Sequence, residues 1–359
     1  MSRRSLLLAL LLTVPSLALA GDTVTYRIRQ TVTLNAIDEK AKTVEWWVSI
    51  PDDHRDQEVL DLSVVSAPGP WRIVREADHG NRFLYVEAAS PGKSSLDVVV
   101  EFTVRRRAVA AKVDASEVGA ISDANRAFFA EELRLDSPNM EVSPEVAKMA
   151  ADACGDEKNL AKQAEKLLDK VAEIADHYSK DPSKPNCGIG SVQACLKNGG
   201  GCCTDLHSLF IAMARSRGIP ARLQMGYRVQ EKNEGKEVDP GYRCWVEYFL
   251  PNYGWVPADI VEADAPAGLG KAVWFTGLTE RRIWLNEGRE FLLPPNDSKT
   301  RVNHMSIAYA EVDGVPARLL PEGDLKPQIT RKVLCETIVA KTADASGART
   351  EPAKAGGGR

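Results

Sequence analysis

The stretch that decides the fold is GGGCCTDLHSLFIAMARSRGIPARLQMGY, residues 199–227. Three glycines and a cysteine precede Cys203, after which apolar residues recur at the i, i+3, i+4 and i+7 spacing of a helix. Gly218 and Pro220 end that helix, and residues 221–229 alternate apolar and polar side chains as a strand does. The stretch therefore predicts a helix that begins at about Cys203 and leads into a strand.

The position of Cys203 at a helix start is suited to nucleophilic chemistry. A helix N-terminus carries partial positive charge, which lowers the pKa of a thiol, and its free N–H groups can stabilise an oxyanion. Flanking glycines let a substrate approach the backbone closely. On spacing alone, however, a half-cystine or a buried structural thiol is the simpler interpretation of Cys203.

A second block, GYRCWVEYFLPNYGWVPADIVEAD, spans residues 241–264. Residues 242–250 alternate as a strand, the turn at Pro251–Gly254 follows, and Trp255–Ile260 form another strand. Together with residues 221–229, these strands predict an antiparallel sheet packed against the helix of Cys203. The second half of the chain is therefore expected to be α+β.

The two blocks together resemble the transglutaminase-like superfamily, whose members have a papain-like core with a Cys-His-Asp triad. The family pattern G-x-C-x-D is present with Cys203 at its centre, H-x-W-x-E-Y is matched from Trp245 to Tyr248, and G-W-V-P-x-D ends at Asp259. More loosely, residues 275–289 and the strand-rich front resemble bacterial secreted members. The resemblance implies that Cys203 is the nucleophile and Asp259 the orienting acid. It also implies a substrate cleft, for which the candidates are Gly201, Cys202 and Trp245.

One position departs from the family pattern, because Arg243 stands where the family keeps its catalytic histidine. Arginine keeps its proton in a protein, so it cannot act as general base or acid. Two interpretations follow. Arg243 pairs with Asp259 as a bidentate ion pair in an inactive groove, or Arg243 is a fixed cation that holds Cys203 as a thiolate while water handles the protons.

The remaining polar residues of these blocks have plainer expected roles. His207, one helical turn after Cys203, is expected to have a packing or hydrogen-bonding role, although a relocated catalytic histidine is the alternative. Asp205 is expected to cap its own helix. Cys202 is expected to point away from Cys203 and to pair with Cys187 or Cys195. Cys244 is expected to be buried or paired.

The front of the chain has a different pattern. Residues 22 to about 107 alternate at period two between turn signals, which predicts a β-sandwich. Ser143 and Pro144 then begin a helix. The predicted fold is an all-β, Ig-like sandwich followed by a papain-like α+β core. Its boundaries are 1–20 for a signal peptide, 21–107 for the sandwich, 108–142 for a linker, 143–340 for the core and 341–359 for a disordered tail.

The N-terminal leader predicts the compartment of the protein, and the composition limits the kinds of partner it can bind. Residues 1–20 carry Arg3 and Arg4, a short apolar run and an Ala-Leu-Ala cleavage site, which predicts export to a periplasm or the medium with no membrane anchor left after cleavage. Seven cysteines in an oxidising compartment predict disulfides with one thiol left over. The 46 basic and 50 acidic residues give a net charge of −4, which argues against a nucleic-acid partner.

The sequence therefore supports two functional hypotheses. In the first, the protein is an exported cysteine hydrolase or acyltransferase that acts on peptide or glutamine amides through Cys203, impaired because Arg243 replaces histidine. In the second, it is an inactive member, a pseudoenzyme, whose cleft binds a peptide or a cell-envelope partner. Neither hypothesis needs a cofactor, and the cysteines and histidines lack the spacing of a zinc site, so no metal is predicted.

Overall fold

The structure is a computed structural model that describes residues 23–89, 91–186, 189–265, 269–295, 301–305, 307–319 and 324–338. The predicted signal peptide and the predicted tail lie outside the described residues, as does Cys187. Within the described ranges, no helix is both long enough and apolar enough to cross a membrane.

The strands follow in chain order: β1 (Thr23–Asn35), β2 (Thr43–Ser49), β3 (Gln57–Ser66), β4 (Trp71–Arg75), β5 (Arg82–Ala89), β6 (Ser95–Arg107), β7 (Val109–Ala110), β8 (Asp176–His177), β9 (Gly200–Gly201), β10 (Ala221–Arg228), β11 (Glu237–Val238), β12 (Arg243–Leu250), β13 (Gly254–Ala258), β14 (Gly277–Leu278), β15 (Arg282–Glu287), β16 (Ala308–Val312), β17 (Val315–Pro316) and β18 (Ile329–Ile338). The α-helices are α1 (Asp123–Phe128), α2 (Pro144–Cys154), α3 (Leu160–Ile174), α4 (Val192–Asn198), α5 (Cys203–Ser216), α6 (Ile260–Ala263) and α7 (Lys271–Trp274). Two short 3-10 helices cover Ala115–Glu117 and Glu231–Asn233.

Two five-stranded sheets form a sandwich around one apolar core. Their strand orders are β11-β18-β1-β6-β3 and β17-β16-β2-β5-β4. The period-two pattern of the sequence puts residues such as Ile28, Trp46 and Val100 inside, where they are fully buried. Trp47 is fully buried as well and donates its indole N–H to the Pro294 carbonyl at 2.7 Å. The Ig-like topology stays a prediction.

Strands β16 and β18, late in the sequence, complete this sandwich. Its extent therefore differs from the domain boundaries predicted from the sequence. Strand β18 pairs with β1 from Thr25↔Ile338 to Leu34↔Ile329, and β16 pairs with β2. The range 21–107 therefore contains only part of the sandwich, and the range 143–340 contains the rest of it beside the core. The period of a strand shows which face is buried but does not show which distant strand pairs with it.

The part of the structure beside the sandwich is a four-stranded antiparallel sheet, β13-β12-β10-β15, with helices packed against it. Helix α5 lies at the centre, and every residue from Cys203 to Arg215 is buried. Ser143 caps α2, as expected, by accepting the Val146 amide at 3.2 Å. The segment 108–142, expected to be a connector, contains α1, and α4 was not predicted.

The two parts share a boundary formed by the same sheet. Tyr227 of β10, Val229 just after it, and Ile283 and Leu285 of β15 pack into the apolar cluster of the sandwich. Ala221, Leu223 and Met225 of β10 pack instead into the apolar cluster that contains α5. The described architecture is α+β, as the sequence predicted, with the core sheet held between α5 and the sandwich.

Candidate active site around Cys203

The start of α5 is held by a tight glycine turn and a side-chain cap. Strand β9 pairs in parallel with β8, and Gly200 has a φ of +137°, a conformation that other residues rarely adopt. A Cβ on Gly200 would lie 2.0 Å from the Asp176 carbonyl oxygen, so only glycine fits. Asp205 accepts the Cys202 amide at 2.9 Å and the Ser191 amide at 3.1 Å, which confirms its expected capping role.

Cys203 occupies the first residue of α5 and is only 4% exposed. Its thiol lies near the thiols of Cys202 and Cys244. The interaction with Cys202 lowers the pKa of Cys203, but the interaction with Cys244 and burial outweigh it and raise the pKa to about 12. The described geometry therefore holds Cys203 as a protonated thiol, whereas the helix start alone predicted a primed thiolate.

Cys202 does not have the position expected from the sequence. Its Sγ lies 3.2 Å from the Tyr242 hydroxyl, and its thiol contacts Cys203 instead of pointing elsewhere. The prediction of a Cys202–Cys195 disulfide is wrong, because all six cysteines in the described part of the chain are free and buried. The alternative partner, Cys187, lies outside the described residues, so that pairing stays a prediction.

Arg243 faces Cys203 across the site but does not form the expected pair with Asp259. Asp259 is bound instead by Arg282, with Nη2 2.7 Å from Oδ2, and both side chains are fully buried. The nearest carboxylate oxygen to Arg243 is Glu262 Oε1, 3.6 Å from Nη2. The bidentate Arg243–Asp259 pair is therefore wrong, because Arg282 occupies the carboxylate.

The electrostatics of these groups keep the ion pairs charged. Burial raises the pKa of Asp259, but the charge of Arg282 lowers it more, so the pKa is well below its ordinary range. Burial lowers the pKa of Arg243, and the attraction of Cys203 and then Asp259 outweighs that effect and raises it. Arg243 is thus a permanent cation beside the thiol.

His207 lies in the site, between Cys244 and Asp259. Its Nδ1 is 3.2 Å from the Cys244 Sγ, and its Nε2 is 3.6 Å from Asp259 Oδ1. The Ile260 amide donates to Nε2 at 3.1 Å, so Nε2 accepts and the ring proton sits on Nδ1. His207 therefore donates to Cys244 and has a hydrogen-bonding role, as expected; in this tautomer no free nitrogen is available to take a proton from Cys203.

His177 is a site residue that the sequence interpretation missed. The parallel pairing of β8 with β9 places it directly opposite Gly201, and the side chain is 4% exposed. Burial, and then the charge of Arg243, lowers the pKa of His177 to about 4. The ring is therefore neutral, and its buried Nε2 makes no hydrogen bond within the described residues. No local pattern reveals this contact, because it depends on the pairing of two two-residue strands.

Trp245, a candidate for the substrate cleft, is a residue of the interior. It is 1% exposed and packs with Trp274, Leu278 and Trp284 in a separate apolar cluster. It therefore belongs to the interior and does not line an open cleft. Gly201 keeps its place at the site, where a Cβ would lie 2.5 Å from Asp205 Oδ2.

Three potential metal ligands meet elsewhere on the sheet. His54, Glu247 and Glu287 each offer an atom within 4.8 Å of the others. The carboxylate of Glu247 is already bound by Arg55 at 3.0 Å and by Arg222 at 2.8 Å. Because these guanidiniums neutralise the carboxylate, the cluster resembles an ion-pair network and not a cation-binding site.

The comparisons with known proteins agree with this architecture. Residues 147–260 match the family model of the transglutaminase-like superfamily. The structure of a candidate cysteine protease from Cytophaga hutchinsonii has a TM-score of 0.56 at 15% identity, covering 89% of this chain and 92% of that one. Residues 147–260 are thus similar to the transglutaminase-like core, and the fold of the chain is similar to that of the candidate cysteine protease.

Two further similarities are weaker. An uncharacterised protein of Haemophilus influenzae is 29% identical over 213 residues, which are 50% of this chain and 57% of that protein. The match thus spans little more than half of the length of the relative. The periplasmic domain of TgpA from Pseudomonas aeruginosa, bound to ethylmercury, has a TM-score of 0.31 at 17% identity, covering 66% of this chain and 89% of that one. A similarity at that TM-score supports no conclusion about function or location.

Proposed function

We propose that the protein is an exported, impaired cysteine acyltransferase or hydrolase that acts on peptide or glutamine amides through Cys203. The observation that carries the proposal is the position of Cys203 at the first turn of α5, in a transglutaminase-like core, facing the permanent cation Arg243. The leader in the sequence supports export.

Arg243 performs one of the two functions of a catalytic histidine. An imidazolium beside a thiolate provides positive charge and also returns a proton to the leaving group. Arg243 provides the charge but cannot move a proton. Loss of general acid–base catalysis costs about 100- to 10,000-fold in rate.

In the proposed reaction the minor thiolate form of Cys203 attacks the amide carbonyl carbon, so that an S–C bond forms. The C–N bond then breaks, and the amine or ammonia leaves with a proton taken from water. Water or a second amine attacks the thioester and releases Cys203. The N–H groups at the start of α5 are placed to stabilise the oxyanion.

A specific observation supports the second candidate, an inactive binding module. The thiol of Cys203 is buried and its pKa is raised to about 12, and His207 is committed to Cys244 and Ile260. A site with this resting state would bind a peptide or an envelope partner without turning it over.

Trapping an acyl-enzyme distinguishes the two candidates. The protein would be incubated with a glutamine-containing peptide and a fluorescent primary amine, quenched in acid and examined by mass spectrometry for a thioester on Cys203. The first candidate predicts a slowly formed thioester and amine incorporation, both absent in Cys203→Ala. Equal amine incorporation by Cys203→Ala, or no thioester at any pH up to 10, would contradict the first candidate and favour the binding module.

A further inference from the structure

The charges around the carboxylates next to Cys203 do not balance. Three guanidiniums, those of Arg228, Arg243 and Arg282, face two carboxylates, those of Asp259 and Glu262. Glu262 Oε1 alone is shared by all three, at 2.7 Å from Arg228, 3.3 Å from Arg282 and 3.6 Å from Arg243. One positive charge is therefore left without a carboxylate of its own.

Arg243 is the guanidinium that is left over. Arg282 is committed to Asp259 and is fully buried, while Arg228 makes a 2.7 Å contact with Glu262. The guanidinium of Arg243 makes no hydrogen bond within the described part of the chain, and 22% of its side chain is exposed. A partly exposed guanidinium whose donors are all unused can bind an incoming anion.

The neighbouring titratable groups do not cancel this charge. His177 is neutral at physiological pH because its pKa is about 4, and the Cys203 thiol is protonated. The guanidinium fork matches the two oxygens of a carboxylate, and the charge-assisted pair is stronger in a partly buried site than at an open surface. The geometry thus favours a planar carboxylate as the partner.

We propose that Arg243 is the recognition site for a carboxylate that the ligand carries close to the carbonyl presented to Cys203. The ligand class is an acidic peptide, with an acidic side chain or a free carboxyl terminus beside the amide. The inference rests on the proposed function only in placing that carbonyl at Cys203. It assigns Arg243 a role in specificity that a histidine at this position would not have.

Two alkylating reagents of nearly equal size test the proposal. Iodoacetate carries a carboxylate next to the carbon that the thiol attacks, and iodoacetamide carries a neutral amide there. The two rate constants for Cys203 are measured at pH 9 and low ionic strength by peptide mass spectrometry, and their ratio is divided by the ratio for glutathione. We expect a normalised preference for iodoacetate of about tenfold, reduced by 0.5 M salt.

Variants show whether Arg243 is the cause. Arg243→Gln should bring the normalised ratio to about one, and Arg243→Lys should retain part of the preference because it keeps the charge but not the fork. The matched control is Arg29→Gln, which removes a half-exposed arginine of the sandwich and should leave the ratio unchanged. A wild-type ratio of one, or a ratio that survives Arg243→Gln, overturns the proposal.

A second readout does not need a reactive thiol. If neither reagent labels Cys203, the proposed function of Cys203 as a nucleophile is wrong. Anion binding is then measured as the difference between the melting temperatures of Cys203→Ser in acetate and in chloride at equal ionic strength. A rise in acetate that Arg243→Gln abolishes supports the carboxylate site. No rise, or a larger rise in phosphate than in acetate, overturns it.

Discussion

Two clusters of charge lie on the same sheet and are built from the same three strands, yet only one of them is balanced. Strands β10, β12 and β15 contribute one residue each to both clusters: Arg222, Glu247 and Glu287 to the first, and Arg228, Arg243 and Arg282 to the second. The first cluster lies beside the sandwich. The second lies beside Cys203.

In the first cluster the two carboxylates, Glu247 and Glu287, are matched by two cations, Arg55 and Arg222. Glu247 is bound by Arg55 and Arg222, and Glu287 is bound by Arg222 at 3.0 Å. Burial raises the pKa of Glu247, but the charges of Arg222 and Arg55 lower it more, to about 2. Such a matched network has a structural role, since it satisfies buried charge at a layer boundary.

The second cluster has three guanidiniums for two carboxylates. The second cluster therefore has a charge in excess at Arg243, beside the thiol of Cys203. The excess positive charge is tolerated there because the side chain of Arg243 is partly exposed to solvent.

The largest effect is expected from Arg243→His, which restores the missing proton carrier. Acyl transfer should rise by about 100-fold, at the lower end of what general acid–base catalysis contributes, because Arg282 still holds Asp259. Amine incorporation into a glutamine peptide is the measurement. Arg243→Gln is the matched control and should stay at or below the wild-type rate; a gain in both variants would mean that relief of crowding, and not the imidazole, is responsible.

Stability should distinguish Arg282 from Arg243 within the unbalanced cluster. Arg282→Met leaves the fully buried Asp259 carboxylate without its cation and should lower the free energy of unfolding by about 3 kcal/mol. Arg243→Met removes a cation with no hydrogen bond and should cost less than about 1 kcal/mol. Urea unfolding gives both values. Equal losses would contradict the assignment of Asp259 to Arg282.

The balanced cluster should make the fold sensitive to acid. Because the folded pKa of Glu247 is lowered from 4.5 to about 2, its contribution to stability is present above pH 4.5 and is lost as pH falls toward 2. The free energy of unfolding should therefore fall by about 2 kcal/mol more in the wild type than in Glu247→Gln over that range. Parallel pH profiles for the two proteins would show that Glu247 is not the group involved.

The smallest effect is expected from Cys202→Ser. A serine hydroxyl can replace the thiol in its contact with Tyr242, and the residue takes part in no disulfide with the other described cysteines. The melting temperature should change by the equivalent of less than about 1 kcal/mol, under oxidising as well as reducing conditions. A large loss confined to oxidising conditions would instead reveal a disulfide at Cys202.

The parts of the fold that the sequence predicted are those governed by local rules. Helix α5, its cap Asp205 and the strands β10, β12 and β13 follow from periodicity and turn residues in residues 199–264. Ser143 and Pro144 likewise mark the start of α2. In each case the signal lies within one turn or one strand of the feature.

The parts that escaped prediction depend on distant pairing. Arg282 reaches Asp259 only because β15 joins the sheet beside β10, and His177 reaches the site only through β8 and β9. The pairing of β1 with β18 joins opposite ends of the chain. The expected lowering of the pKa of Cys203 also failed, since the helix start is a local feature, whereas burial and the Cys244 thiol, which raise the pKa, come from the tertiary structure.

The pH dependence of Cys203 alkylation by iodoacetamide tests most directly the claim that Cys203 is a protonated thiol beside the cation Arg243. Modified peptides would be quantified between pH 5 and 11 in the wild type and in Arg243→His. The account predicts slow labelling of wild-type Cys203 that is still rising at pH 10, and a midpoint shifted toward neutral pH in Arg243→His. Rapid labelling of the wild type below pH 7 would contradict it.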